Sequence, residues 1–209
     1  MTKLENFINK KKIIIFDLDG VLIDSKKNME TAWNKIKKEF KITISFEKYF
    51  LLIGRPFVTI LRTLGIKKKI HKKIFYAFNK ESKKKVNLIK PYKNVIKTLR
   101  KLKNKNKIIG ILTSKNKERA QFVMKKLKIN YNFLVCPRIN LPGKPNPKQI
   151  NRIIKNRLFN KKDIVFVGDT YIDYKTAKNA KIDFVFAKYG YGNIMKIYKL
   201  KINNIKDIA

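Results

Sequence analysis

Asp17 and Asp19 stand two residues apart, directly after the apolar run Ile13-Ile14-Ile15-Phe16, and Gly20 follows them. Two carboxylates this close repel each other unless a cation or a shared proton intervenes. The pair suits a hard divalent cation, with one carboxylate left free for chemistry. The same residues suit an Asp-rich turn closing a strand just as well. Gly20 lets the backbone turn tightly and approach a ligand. Farther along come Thr113-Ser114, then Lys144, then Asp169 and Asp173. Each has a bland explanation of its own: Thr and Ser cap helices, Lys144 is one lysine of 45, and Asp169 to Asp173 suits a helix N-terminus.

The elements between them decide. Ile13 to Phe16 reads as a strand buried on both faces of a parallel sheet. Further short strands are expected at 107–112, near 133–135, at 164–167 and at 184–187. Between them, Val95, Ile96, Leu99 and Leu102, then Ala120, Val123, Met124 and Leu127, then Ile150, Ile153 and Ile154, then Ala177 and Ala180, mark apolar helix faces. Asn146 and Pro147 suit the start of the third of these helices. Alternation at this spacing predicts a three-layer, Rossmann-like parallel α/β sheet, and in such sheets ligands gather at the carboxyl ends of the strands. Thr113-Ser114 and Asp169 to Asp173 follow strands, as Asp17 and Asp19 do, and Lys144 lies in a connection between them. Their recurrence in this order argues against coincidence.

One region breaks the alternation. Met29, Ala32, Trp33, Ile36 and Phe40 form an apolar helix stripe, with Trp33 expected in the core. Val58, Leu61 and Leu64 form another that ends at Gly65, and Ile70, Ile74, Ala77 and Phe78 a third. The only histidine, His71, sits among lysines in the third stripe and is expected at the surface without a role. The segment from Ile23 to Val86 thus reads as all-helical. The tail after Gly192 is weakly patterned, and at most a terminal helix is expected there.

The chain has 209 residues, enough for one domain with an insertion, and 44% hydrophobic content fits a globular protein. Its single cysteine, Cys136, rules out an internal disulfide and is expected to be a small buried apolar residue. The start MTKLENFINKKK lacks a signal peptide's apolar core, and no run is long enough to span a bilayer. A soluble cytoplasmic protein is expected. Net charge is +38, which raises nucleic acid or an anionic surface as a partner. Only 7 of the 52 basic residues are Arg, however, and the lysines are scattered among abundant Ile and Asn. Nucleic-acid readers concentrate charge and favour Arg. The excess therefore reads as compositional, with no specific nucleic acid or membrane partner.

FDLDGVLIDS, ILTSK, GKPNP and GDTYIDYKTAKNA together resemble the four signatures of the haloacid dehalogenase-like hydrolase superfamily, in its branch of phosphoglycolate phosphatase-like and beta-phosphoglucomutase-like proteins. The resemblance covers nearly the whole chain. The name-giving dehalogenases lack the second Asp of the first signature; Asp19 is present, so the resemblance implies phosphoryl transfer. It implies that Asp17 is the nucleophile, forming an aspartyl-phosphate, and that Asp19 is first the general acid and then the base. Mg²⁺ would be held by Asp17, Asp169 and the backbone carbonyl of Asp19, with Asp173 binding directly or through water. Thr113 and backbone amides near Gly20 and Ser114 would hold phosphoryl oxygens, and Lys144 would offset the gathered negative charge.

The helical segment matches the family's small cap, giving a core of residues 1–22 and 87–209 with a cap at 23–86. Arg55, in the turn Gly54-Arg55-Pro56, is the cap residue expected to touch substrate. The expected activity is Mg²⁺-dependent hydrolysis of a small phosphorylated metabolite of the phosphoglycolate or sugar phosphate kind, by a monomer or homodimer. A phosphomutase using the same site is the alternative within the family. From another class, the alternative is a non-catalytic basic protein that binds nucleic acid or a partner.

Overall fold

The computed structural model describes residues 2–138 and 142–209. Its centre is β1 (Ile13–Phe16), which pairs in parallel with β4 (Ile108–Leu112) on one side and β6 (Ile164–Gly168) on the other. β5 (Phe133–Val135) extends the sheet beyond β4, and β7 (Asp183–Ala187) and β8 (Lys201–Ile202) extend it beyond β6, all in parallel.

Alternation along β1 creates the layers. Ile14 and Phe16 pack into a cluster with Val95, Leu99 and Leu102 of α6 (Val95–Asn104) and Ala120 and Val123 of α7 (Lys117–Lys126). Ile13 and Ile15 face the other way, toward Ile150 and Ile154 of α8 (Lys148–Asn156) and Ala177 and Ala180 of α9 (Tyr171–Ala180). A strand covered on both faces must be apolar throughout, which is why this one carries no polar residue before Asp17. Fully burying side chains of this size stabilises by about 1.5–3 kcal/mol each.

The helices of the segment after β1 make a third cluster. α2 (Lys26–Glu39) packs on α5 (His71–Lys84), with α3 (Phe46–Phe50) and α4 (Phe57–Thr63) beside them. Trp33 is fully buried and stacks on Tyr49 with ring centroids 4.4 Å apart, and Phe57 meets Phe78 at 4.7 Å.

The structure departs from the sequence reading at four places. The segment is not purely helical: β2 (Ile23–Asp24) pairs antiparallel with β3 (Lys90–Pro91), so the two chain crossings between sheet and helices lie side by side. His71 is buried rather than exposed, its Nε2 2.8 Å from the carbonyl oxygen of Ile66, because the chain folds back at Gly65 and lays the start of α5 over that turn. The tail forms β8 and a 3-10 turn, Ile205–Ile208, whose buried Ile205 and Ile208 complete the layer beneath α6. A short helix, α1 (Lys3–Asn9), precedes β1 and is capped by Thr2 and Glu5.

Candidate active site

The carboxyl ends of β1, β4 and β6 lie on one edge of the sheet. The N–H of Asp17 still donates to the carbonyl of Val167 at 2.9 Å, so the carboxylate leaves from the last ladder position of β1. The N–H of Thr113 does the same beside β5, donating to Val135 at 3.0 Å. Asp169 follows β6 immediately, and Asp173 is the third residue of α9. Asp17, Thr113, Lys144, Asp169 and Asp173 are all buried.

Asp17, Asp169 and Asp173 each bring a carboxylate oxygen within 4.8 Å of the others. Lys144 reaches into the group: its Nζ lies 2.6 Å from Asp173 Oδ1 and 2.9 Å from Asp17 Oδ1. The first contact is a hydrogen bond; the second is an ion pair whose angles leave Asp17 Oδ1 without a hydrogen bond. Asp169 Oδ1 is likewise buried and without a donor among the described residues. Asp173 is fully committed, because its Oδ2 also accepts from the N–H of Thr170 at 3.0 Å and its hydroxyl at 2.6 Å in a capping box. The helix N-terminus expected from the sequence is therefore present, and the same Asp173 serves the cluster.

The electrostatics follow. Burial pushes the Asp17 carboxyl up to about 7; Lys144 pulls it down, while Asp173 and Asp19 add repulsion. Burial, with Asp173 and Asp17 beside it, also raises Asp169 well above the carboxylate range. Burial would depress Lys144, but Asp17 and Asp173 outweigh it and hold the ammonium charged. One lysine thus faces three buried carboxylates. Two carboxylate oxygens without donors and an excess of negative charge are what a hard divalent cation with oxygen ligands requires, so the residues fit Mg²⁺.

Asp19 stands apart from the cluster. Its carboxylate accepts a short hydrogen bond from the Ser25 hydroxyl and pairs with Lys115 Nζ at 3.0 Å. Burial raises its pKa, yet Lys115, the Ser25 hydroxyl and Arg119 outweigh that and hold it below the ordinary value. Lys115 in turn is lowered to about 8, by burial first and then by Arg119. Asp19 Oδ1 is thus bound to Ser25 and Lys115 rather than to the cluster.

Gly20 has φ +89°, and a Cβ there would sit 2.1 Å from Asp169 Oδ2. Gly20 thus makes room for a cluster carboxylate, and it does not line the cavity. Gly190 also makes room for that carboxylate: a Cβ there would meet Asp169 Cβ at 2.2 Å and Asp169 Oδ2 at 2.5 Å.

A cavity of about 1370 Å³ opens over this edge, and Asp17, Asp19, Thr113, Ser114, Lys144 and Arg55 all line it. Thr113 Oγ1 accepts from the N–H of Lys115 at 3.1 Å, leaving its own proton to donate. The Ser114 hydroxyl donates to the Gly54 carbonyl at 2.6 Å, tying the strand end to the turn that carries Arg55. Arg55 has no hydrogen bond or ion pair among the described residues. It stands on the cavity wall, in the turn Gly54-Arg55-Pro56. Asn146 Oδ1 accepts from the N–H of Lys148 at 2.9 Å, but α8 begins one residue later than expected, at Lys148, with Pro147 in the N-cap position. Cys136 is buried, and burial pushes its thiol up to about 12, which suits an inert apolar residue.

Four residues near the site had no role in the sequence reading: Ser25, Lys115, Arg119 and Tyr191. Lys115 lies inside ILTSK, but one lysine among 45 carries no signal. Tyr191 lies in the weakly patterned region before the tail, where nothing in the spacing marks it.

Residues 14–187 match the family model described as haloacid dehalogenase-like hydrolase. The chain belongs to this family. Among known proteins it is similar to the phosphoglycolate phosphatase of Aquifex aeolicus, 27% identical over 86% of both chains. A phosphoglycolate phosphatase of Haemophilus influenzae is 29% identical, over 86% of this chain and 87% of that one. The pyrophosphatase PpaX of Oceanobacillus iheyensis is 21% identical, over 82% and 80%. In fold, a haloacid dehalogenase-like family hydrolase of Streptococcus pneumoniae superposes with a TM-score of 0.83 at 20% identity, covering 95% of this chain and 97% of that one. A hydrolase of Pseudomonas syringae gives 0.84 at 21% identity, with 95% and 96% covered. Among the described residues no helix is long and apolar enough to cross a membrane.

Proposed function

We propose that the chain is a Mg²⁺-dependent phosphoric monoester hydrolase acting on a small phosphorylated metabolite of the phosphoglycolate or sugar phosphate kind. The observation that carries the reading is the division of labour at the end of β1. Asp17 presents a buried oxygen without a hydrogen bond beside Lys144, and Asp19, two residues on, is held separately by Lys115 and Ser25. The relatives are named for phosphate-releasing reactions, which favours hydrolysis over the mutase and over an idle binding role.

Asp17 attacks the phosphorus through a carboxylate oxygen, and the bond from phosphorus to the ester oxygen breaks. Asp19 gives its proton to that departing oxygen. Its low resting pKa is set by Lys115 and Arg119, and an arriving phosphate dianion offsets those charges, which lets Asp19 hold the proton when it is needed. In the second half Asp19 takes a proton from water, whose oxygen forms the new bond to phosphorus and releases Asp17 with inorganic phosphate. Thr113 and the backbone near Ser114 hold the phosphoryl oxygens, and Lys144 balances Asp17 and Asp173 throughout. Asp17 and Asp169 would hold the Mg²⁺, with Asp173 reached through water because both its oxygens are occupied. When bound, the ion neutralises charge on the transferring phosphoryl group.

The reading divides the chain into a core, residues 1–22 and 87–209, and a helical cap, residues 23–86, with the β2–β3 ribbon as the joint. Arg55 faces the substrate from the cap. The test is phosphate release from a panel of small phosphate monoesters, with Mg²⁺ and with chelator, by the wild type and by Asp17→Asn. Turnover that needs Mg²⁺ and disappears in the variant is expected. Turnover that survives either change refutes the mechanism.

A further inference from the structure

Arg119 is the third residue of α7, and its backbone is fixed by the cap, since the Asn116 side chain accepts its N–H at 3.1 Å. The guanidinium lies against α5: its carbon is 5.1 Å from the Phe78 ring centroid, and Nη1 donates to Asn79 Oδ1 at 3.3 Å. Nε and Nη2 are buried and have no acceptor among the described residues. Buried donors are almost always paired, so two on one side chain need an explanation.

Nε and Nη2 form one edge of the guanidinium. That edge offers two parallel N–H bonds, spaced for both oxygens of a carboxylate or phosphate. Among the described residues no oxygen accepts from that edge; the neighbouring acid, Asp19, takes its bonds from Ser25 and Lys115 on Oδ1. Arg119 lines the same cavity as Asp17 and Asp19. Of the acids on that wall only Glu118 lies outside the catalytic pair, against a larger number of cations that includes Arg55, Arg62 and Lys115.

We propose that Arg119 is a specificity residue for a second anionic group, so that the preferred phosphate ester carries a carboxylate or a second phosphate a few bonds from the reacting phosphorus. This rests on the phosphatase reading and narrows its substrate class. The Arg119 edge finds no acceptor among the described residues, whereas a substrate with two anionic ends supplies one. A single-ended phosphate ester does not.

Selectivity is the readout that a purely structural arginine does not move. Wild type, Arg119→Lys and Arg119→Gln are assayed on phosphoglycolate, on pyrophosphate and on 2-hydroxyethyl phosphate, which replaces the carboxylate of the first with a neutral group. The wild type is expected to favour at least one of the two double anions over 2-hydroxyethyl phosphate by more than tenfold in kcat/KM. The better of the two identifies the second group as carboxylate or phosphate. Arg119→Gln is expected to reduce that ratio at least tenfold, mostly through KM, and Arg119→Lys to restore part of it. Calorimetry on Asp17→Asn, alone and combined with Arg119→Gln, reads the same preference as binding without turnover. Preferential binding without turnover in the wild type would sink the phosphatase reading and keep the role of Arg119. A wild type with no preference, or a loss shared equally by all three ligands in Arg119→Gln, overturns the proposal.

Discussion

The backbone N–H of Tyr191 donates to Asp169 Oδ2 at 2.6 Å, so a residue after the last long strand holds a carboxylate of the central cluster in place. The same tyrosine reaches the joint of the helical segment with its side chain: its hydroxyl accepts the N–H of Ser25 at 2.7 Å and donates to Asp24 Oδ1 at 3.0 Å. Its ring also meets the edge of Phe50 in α3, with centroids 5.0 Å apart. One residue therefore connects the metal-binding candidate, the joint and the helices.

Tyr191→Phe keeps the backbone bond to Asp169 and the ring contact but removes the acceptor for Ser25. Leaving a part-buried N–H without a partner costs about 1–3 kcal/mol. The expected result is a loss of that size in denaturant-measured stability, with Mg²⁺ affinity changed less than threefold. A variant as stable as the wild type shows that water replaces the hydroxyl and that the joint does not depend on it.

Lys144→Met leaves Asp17 and Asp173 buried without their cation. Breaking a buried pair from one side costs about 3–5 kcal/mol. The loss is expected at pH 8 in the absence of metal and is expected to shrink at pH 5, where protonated Asp17 no longer needs a counter-charge. Urea unfolding at the two pH values reads both. An equal loss at the two places the effect of Lys144 in packing rather than in charge.

Metal-free stability carries its own pH signature. Asp17 titrates near its ordinary 3.8 in the unfolded chain and near about 7 in the fold, chiefly through burial. Between these values the folded state holds more protons than the unfolded one, so stability falls as pH rises through that window. Asp169 shifts in the same direction and adds to the fall. With chelator, the free energy of unfolding is expected to be higher at pH 5 than at pH 8, by an amount on the order of 1–3 kcal/mol. Millimolar Mg²⁺ is expected to flatten the difference by stabilising the ionised pair. A pH profile unchanged by Mg²⁺ argues that the cluster does not bind it.

Much of this site was legible in the sequence because two physical signals are local. Four apolar residues followed by two acids mark a doubly covered strand and its end, and both appear at Ile13 to Asp19. Asp169 and Asp173 were legible for the same reason, from the end of the apolar strand Ile164–Gly168 and the helix start after it. The partners of these residues were not legible, because partnership is set by tertiary approach. Ser25 and Tyr191 carry no signal in the sequence, yet they orient Asp19 and Asp169. β8 is two residues long, too short for alternation to register, and it is held by pairing with β7. His71 was misread because five surrounding lysines, at 67–69 and 72–73, suggest a solvated helix, whereas burial depends on which way the helix start faces.

Gly20 offers the sharpest separation of fold from site. Its φ of +89° costs an alanine about 1–2 kcal/mol, which a well-covered sheet tolerates. The steric cost is of another kind, because the added Cβ would lie 2.1 Å from Asp169 Oδ2 and 2.9 Å from Tyr191 Cδ2. Asp169 must then move, in a setting where Gly190 also packs so closely that a Cβ there would lie 2.2 Å from Asp169 Cβ. Gly20→Ala is therefore expected to retain its far-ultraviolet dichroism while losing about 10–100-fold in Mg²⁺ affinity, the scale seen when the support of a metal ligand is disturbed. Magnesium titration of phosphate release, or of thermal stability, measures it. If Gly20→Ala binds Mg²⁺ as the wild type does, the assignment of Asp169 as a ligand held in place by this close approach is wrong.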